Sequence, residues 1–362
     1  MKACNYRKYR KVISVFIAAA IFGSSLLEAR TIDVGTVYKT RGELGVGYNL
    51  SDTVQNLHLA FRTWNSVWTP VEVNFEKGYT GDGSNGSGVY NITNLQIDGG
   101  NYDDGFENYQ RCVLNIGDGC KFDMSSSANI SGKLVATNAD ISTTYMDLNA
   151  YGIFDMQGGS LNFTGSSTPY TYKIAGKMTL NNVAFTAKDK VLIDGGNYGA
   201  SESNNYEGYD LNIADVVFSG STTFNGTSLI VEDTNKLSLL DGASVSVASL
   251  SASNLSVSSG SKIAVSSAAE LSIENLNVIL DELAPLKFSD IFSAENGDTI
   301  VFSAENTKIT VSDSNGATYG DALFSYDADG NITGIAAVPE PSALAAVFGA
   351  LAFGAAVFSR RR

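Results

Sequence analysis

The residues able to do chemistry in this chain are few, and their spacing says more than their number. A single histidine, His58, stands between Leu57 and Leu59. One imidazole leaves no second for a Ser-His-Asp or Cys-His arrangement elsewhere, and apolar neighbours mark a structural position. Carboxylates gather at Asp103, Asp104 and Glu107, in a loop rich in Tyr and Asn. Such a cluster can bind calcium or hydrolyse a sugar bond, but nothing sets a second acid at the separation hydrolysis requires. Lysines concentrate only at Lys173, Lys177, Lys188 and Lys190, where a polysaccharide lyase would need a base and a cation for its uronate. Two turns, Asp82-Gly83-Ser84-Asn85-Gly86 and Asp327-Ala328-Asp329-Gly330-Asn331, alternate oxygen side chains as a cation loop does, yet neither has the closing glutamate. Both read more simply as turns that need Gly and Asn. The expectation is a protein with no catalytic residue, no metal and no cofactor.

Cys112 and Cys120 lie eight residues apart. In an oxidising compartment they can close a small loop worth ~2–3 kcal/mol. The alternative is a pair of buried thiols on adjacent turns of the chain.

The elements that must position these groups are short strands. Val71-Glu72-Val73-Asn74-Phe75, Leu161-Asn162-Phe163, Leu211-Asn212-Ile213, Val245-Ser246-Val247, Leu255-Ser256-Val257, Leu271-Ser272-Ile273 and Lys308-Ile309-Thr310-Val311 alternate apolar with polar residues. Period two means half-buried strands, and the Gly, Asn, Asp and Ser between them mean turns. With 36 glycines against five prolines, the chain is expected to be all-β. Ile97-Asp98-Gly99-Gly100-Asn101-Tyr102 returns as Ile193-Asp194-Gly195-Gly196-Asn197-Tyr198, and Leu114-Asn115-Ile116 returns as Leu211-Asn212-Ile213. Gly158-Gly159-Ser160-Leu161 resembles a partial third copy. These repeats, and the serine-flanked strands from Leu237 to Leu280, favour a repetitive parallel β-solenoid (β-helix) over an antiparallel β-sandwich.

Domain boundaries follow. Residues 30–75 form an N-terminal cap region, 76–280 the repetitive β-solenoid and 281–337 a C-terminal β region. Within the cap, Val54, Leu57, Phe61, Trp64 and Trp68 share one helical face, with Ser51 or Asp52 as N-cap and Pro70 as stop. The same stretch also alternates as Leu57-x-Leu59-x-Phe61, so a strand remains open. Trp64 and Trp68 are either core or a sugar-stacking platform. Residues 280–298 read as a short helix or loop, and Phe324 to Ile335, with Asp329-Gly330 at its centre, as a terminal hairpin.

The two ends address the chain. Lys2, Arg7, Lys8, Arg10 and Lys11, the apolar run from Val12 to Leu27, and Ala29 make residues 1–29 a signal peptide, helical while it engages the membrane. At the other end Pro339, Glu340 and Pro341 precede an apolar run from Ser342 to Phe358, then Arg360, Arg361 and Arg362. The run is roughly 26 Å long as a helix, close to the ~30 Å hydrocarbon core, so a transmembrane helix is expected. The three arginines would hold its end in the cytoplasm. This arrangement resembles the PEP-CTERM sorting signal of exported bacterial proteins. The resemblance covers residues 338–362 alone. It implies recognition of Pro339, Glu340 and Pro341 by exosortase, a membrane-embedded transpeptidase-like protease, and release toward the cell surface in species that make exopolysaccharide.

Residues 1–29 and 340–362 hold eight of the 24 basic side chains and two of the 38 acidic ones, which leaves a net charge near −20 on the remainder. Such a surface repels phosphate backbones, so nucleic acid is excluded as a partner. The function expected is that of a non-enzymatic cell-envelope or extracellular-matrix protein, membrane-anchored as precursor, whose mature form contacts exopolysaccharide or other cells. The alternative is a surface carbohydrate-active enzyme, a polysaccharide lyase or hydrolase on a β-helix scaffold, which needs a groove gathering Asp103, Asp104 and Glu107 with a lysine. An autotransported adhesin is disfavoured, because that class ends in a translocating β-barrel.

Overall fold

The computed structural model describes residues 30–32, 53–60, 62–64, 67–75, 88–99, 111–165, 171–195, 205–206, 209–210, 213–280, 285–303, 305–314 and 322–337. Both ends of the chain, with Pro339, Glu340, Pro341 and Arg360 to Arg362, lie outside them. Asp82 to Gly86, Asp103, Asp104 and Glu107 do as well. Among the described residues no helix is long and apolar enough to cross a membrane.

The molecule is all-β, and alternation is the cause. Lys177–Asn181 buries Met178 and Leu180, Asp215–Ser219 buries Val216 and Phe218, and Lys236–Leu239 buries Leu237 and Leu239. The intervening residues face outward, as a pleated strand requires. These strands belong to one 20-stranded sheet, and its pairings are parallel. Lys133 lies opposite Ile153, Ile153 opposite Lys177, Lys177 opposite Asp215, and Asp215 opposite Lys236. Each pairing advances the chain by roughly twenty residues, or more where an insertion intervenes, the signature of a repeat fold. An antiparallel sandwich would need the opposite pairing.

Because the pairing is in register, like stacks on like. Leu134, Phe154, Met178, Val216, Leu237 and Leu255 are successive partners on the buried side. In a neighbouring column the Phe185 ring lies 4.9 Å from Phe163 and 4.6 Å from Phe224, with Phe218 at 6.1 Å. On the polar side amides and hydroxyls bond across turns. Asn115 Nδ2 donates to Asn74 Oδ1 at 2.6 Å, Asn149 Nδ2 to Asn129 Oδ1 at 2.9 Å, and Thr186 Oγ1 to Asn162 Oδ1 at 2.7 Å.

Several expectations change. The stretch read as a helix from Val54 to Trp68 is instead the strand Thr53–Leu59 followed by the hairpin of Arg62–Trp64 and Val67–Thr69. Thr53–Leu59 pairs with Val89–Ile97, and a ready sheet edge outweighs the helical face. Gly158 and Gly159, with φ of +70° and +81°, make a corner inside the strand Ile153–Phe163 rather than a third copy of the repeat turn. A Cβ on Gly159 would stand 2.0 Å from the Ala139 carbonyl oxygen. The column through Leu114 continues by Leu134, Phe154 and Met178 to Val216, and Leu211 and Asn212 of the second Leu-Asn-Ile lie outside the described residues. The Ile-Asp-Gly-Gly repeat does hold. Ile97 and Ile193 share a column through Ile130, Leu148 and Ile174, and each motif ends an equivalent strand.

At the C-terminal end Leu286–Lys287, Ile332–Ala337 and Ala322–Tyr326 form a small antiparallel sheet. The last two strands are the expected hairpin. Between Lys287 and Phe292 the chain makes a single 3-10 turn, Phe288–Asp290. Phe288, Phe292 and Phe302 pack edge to face, all buried, alongside buried Ile332 and Ile335. This layer joins the main core.

Replacing Phe185 by Ala should cost about 3–5 kcal/mol, the usual loss for a buried aromatic. A urea titration followed by circular dichroism would read it. A shift equivalent to less than 1 kcal/mol would contradict the stacked aromatic core.

Candidate functional site

The repeated motif carries chemistry as well as topology. Ile97 and Ile193 end strands in one column, which brings Asp98 and Asp194 to the same edge of the sheet. Each aspartate meets a nitrogen from the preceding turn. His58, opposite Gln96, has Nε2 3.0 Å from Oδ2 of Asp98, in contact but not aligned as a hydrogen bond. Gln96 Nε2 donates to the other oxygen of Asp98 at 2.8 Å. Lys173, opposite Leu192, places Nζ 3.4 Å from Oδ2 of Asp194. In both copies the nitrogen-bearing residue lies two positions short of the aspartate, one strand over. Sequence alone did not reveal this pairing. The signal lay in the repeat, in which Ile-Asp-Gly-Gly-Asn-Tyr returns whole while the residues that meet its Asp, His58 and Lys173, differ.

Between these pairs runs an outward row in which Gln96, Asn129, Asp147 and Lys173 are successive partners. Burial raises the Asp147 carboxyl above the ordinary value of 3.8, and the Lys173 ammonium pulls it part of the way back. Tyr145, two residues earlier, is raised by burial first and by the negative charge of Asp147 second, with Lys173 opposing. Asn149 Nδ2 donates to both Asn129 Oδ1 and Ser131 Oγ, at 2.9 and 2.5 Å. The edge thus offers carboxylates, amides, an amine and a phenol, ranging from buried Asp98 through half-buried Asp147, Tyr145 and Lys173 to exposed Gln96 and Asn129. Groups of this kind bind hydroxyl-rich ligands by hydrogen bonds, with the scaffold bearing the cost of ordering them.

The other candidates separate. Lys177 is on the outward side of Lys177–Asn181, and Lys188 and Lys190 flank the start of Lys190–Ile193, so the four lysines do not form one cluster. Asp327 accepts from the backbone N–H groups of Asp329 and Asn331 at 3.0 and 2.8 Å and from Asn331 Nδ2 at 3.0 Å. These bonds, the side-chain one first, hold its carboxyl below the ordinary range. The carboxylate therefore organises its own turn, and Gly330 at φ +83° completes it. Among the described residues no group of three His, Cys, Asp or Glu is placed to hold a metal ion. Tyr90 and Tyr172 are buried, which pushes both phenols up to about 12. They serve the core.

Cys112 and Cys120 are both buried, and no disulfide joins them. The reason is the strand Val113–Ile116 between them. At ~3.3 Å per residue it carries the two ends well beyond the ~7 Å limit for bridging Cα atoms. Cys120 Sγ instead points to the carbonyl oxygen of Phe75 at 3.6 Å.

Compared with known protein families, with characterised proteins and with solved structures, the chain matches none.

Two outcomes test this geometry. A carboxyl raised on folding contributes stability that is complete below its unfolded pKa and disappears as pH rises through the folded one. Asp147→Asn should therefore raise the melting temperature at pH 7 and leave it nearly unchanged at pH 3. A neutral-pH loss of stability would show the carboxylate to be net favourable. For the thiols, iodoacetamide should alkylate neither Cys112 nor Cys120 in the folded protein and both in denaturant without reductant, as mass spectrometry would read. Labelling only after reduction would establish a disulfide.

Proposed function

We propose that this chain is a non-enzymatic exported protein of the cell envelope or extracellular matrix. It is built as a parallel β-solenoid, delivered by exosortase, and presents a rigid polar flank to exopolysaccharide or to other cells. The observation that carries the reading is the register of the sheet. A parallel pairing at each turn, with apolar columns on one side and amide, hydroxyl and carboxylate columns on the other, supports a coil stacked along one axis. Such a coil repeats polar groups at strand spacing, ~4.8 Å, a rhythm that a linear polymer can follow over many residues. A globular ligand would meet only a few of them.

Export is supported by the composition of the two ends and by the chain between them. Residues 1–29 serve as the signal peptide. Pro339, Glu340 and Pro341 are the recognition residues for exosortase, Ser342 to Phe358 span the inner membrane transiently, and Arg360 to Arg362 hold the tail in the cytoplasm. A carbohydrate-active enzyme is the weaker reading. Lys173, the amine a lyase would recruit, is engaged by Asp194 and faces Asp147, the setting of a structural cation.

Replacing Pro339, Glu340 and Pro341 by alanines should leave the full-length precursor in the inner membrane. Fractionation with intact-mass analysis in the native host reads this outcome. Unchanged release, with the tail removed as in the parent protein, would remove the sorting role.

A further inference from the structure

Four lysines fall in one outward row of the large sheet, in a chain whose surface is otherwise acidic. Lys133 lies opposite Ile153, which lies opposite Lys177. Lys177 lies opposite Asp215, and Asp215 opposite Lys236. One residue before the paired Leu237 and Leu255 the row passes from Lys236 to Asn254, then by Asn275 to Lys308. The two ends of the row differ in charge balance. Lys133 Nζ is 3.3 Å from Oδ2 of Asp155, and Asp215 lies opposite both Lys177 and Lys236. Among the described residues no carboxylate lies within ion-pair distance of Lys236 or Lys308, and both side chains are exposed. Three strand spacings separate them, about 14 Å.

Between those two ammonium groups lies an open groove of about 590 Å³. Asn254, Asn275, Asn277 and Thr310 line it with amides and a hydroxyl, and Ile213 and Leu255 add apolar surface. The amides are fixed in place. Asn254 Nδ2 donates to the backbone oxygens of Asp233 and Asn235 at 2.8 and 3.1 Å, and Asn275 Nδ2 to that of Ser253 at 2.9 Å. Each amide is thus anchored through its nitrogen, and its Oδ1 is turned to the acceptor role. Thr310 Oγ1 donates to Asn277 Oδ1 at 3.2 Å, tying the next row together.

We infer that this groove binds one strand of a carboxylate-bearing polysaccharide, laid across the β-strands along the axis of the stack. The inference rests on the polysaccharide-contact reading and gives it a place and a charge. Lys236 and Lys308 meet carboxylates at two points along the polymer, and Asn254 and Asn275 accept hydroxyl protons between them. Among the described residues no aromatic side chain lines the groove, so the ring stacking that holds neutral sugars is not offered by them.

The test is binding of the full-length protein, in detergent, to polygalacturonate and to the same polymer with its carboxyls methyl-esterified. The parent protein should bind the acid form, less tightly as salt rises, and not the ester. Lys236→Gln with Lys308→Gln should weaken binding roughly three- to tenfold, as two exposed charge pairs would. Arginine at both positions should keep it. Lys188→Gln with Lys190→Gln makes the same charge change elsewhere and should bind as the parent does. Equal losses in the two glutamine pairs, or undiminished binding by Lys236→Gln with Lys308→Gln, would overturn the groove and leave polysaccharide contact standing. Failure of the parent protein to bind either polymer would overturn both.

Discussion

Everything in this structure depends on the in-register parallel hydrogen bonding of one turn of chain onto the next. A one-residue slip in a strand exchanges its buried and exposed faces, so each turn inherits the polarity of the turn before it. That is why Leu134, Phe154, Met178, Val216 and Leu237 can form one buried column over strands whose lengths and loops differ. It is also why Asn sits over Asn, as Asn74 and Asn115 or Asn254 and Asn275 do, with side-chain amides bonded across the turns or down to the backbone.

The same constraint organises charge. A parallel stack sets outward side chains near one another whatever their sequence distance, so like charges in adjacent turns would repel. The molecule interleaves them. Asp155 answers Lys133, Asp215 stands between Lys177 and Lys236, and Asp194 answers Lys173. From Lys236 through Asn254 and Asn275 to Lys308 the row carries no further carboxylate, and among the described residues neither lysine has one within ion-pair distance. Two lysines flanking neutral amides make that stretch of the row a place for an anionic ligand.

Much of the fold was legible because it rests on local alternation. Val71–Phe75, Leu161 to Phe163, Val245 to Val247 and Leu255 to Val257 show period two in the sequence and are strands in the structure. The terminal hairpin followed from Asp329-Gly330. The helix read across Val54 to Trp68 failed because its face and the strand alternation share the same residues, and only the partner strand Val89–Ile97 chooses between them. The candidate site was less legible. Asp98 and His58, or Lys173 and Asp194, are 40 and 21 positions apart, and no local pattern connects them.

The sequence by itself determined the β class, the turn positions, the internal repeat and the acidic balance, because each is written in neighbouring residues or in composition. It also carries the resemblance at the two ends, which are read as linear signals. The tertiary structure alone decided which strand lies on which, because register is set by the sum of many weak contacts along a whole turn. From register come the core columns, the paired aspartates of the repeat, the two thiols held apart by an extended strand, and the row of lysines. None of these is a property of a segment. Each exists only once turns separated by roughly twenty residues have been laid side by side.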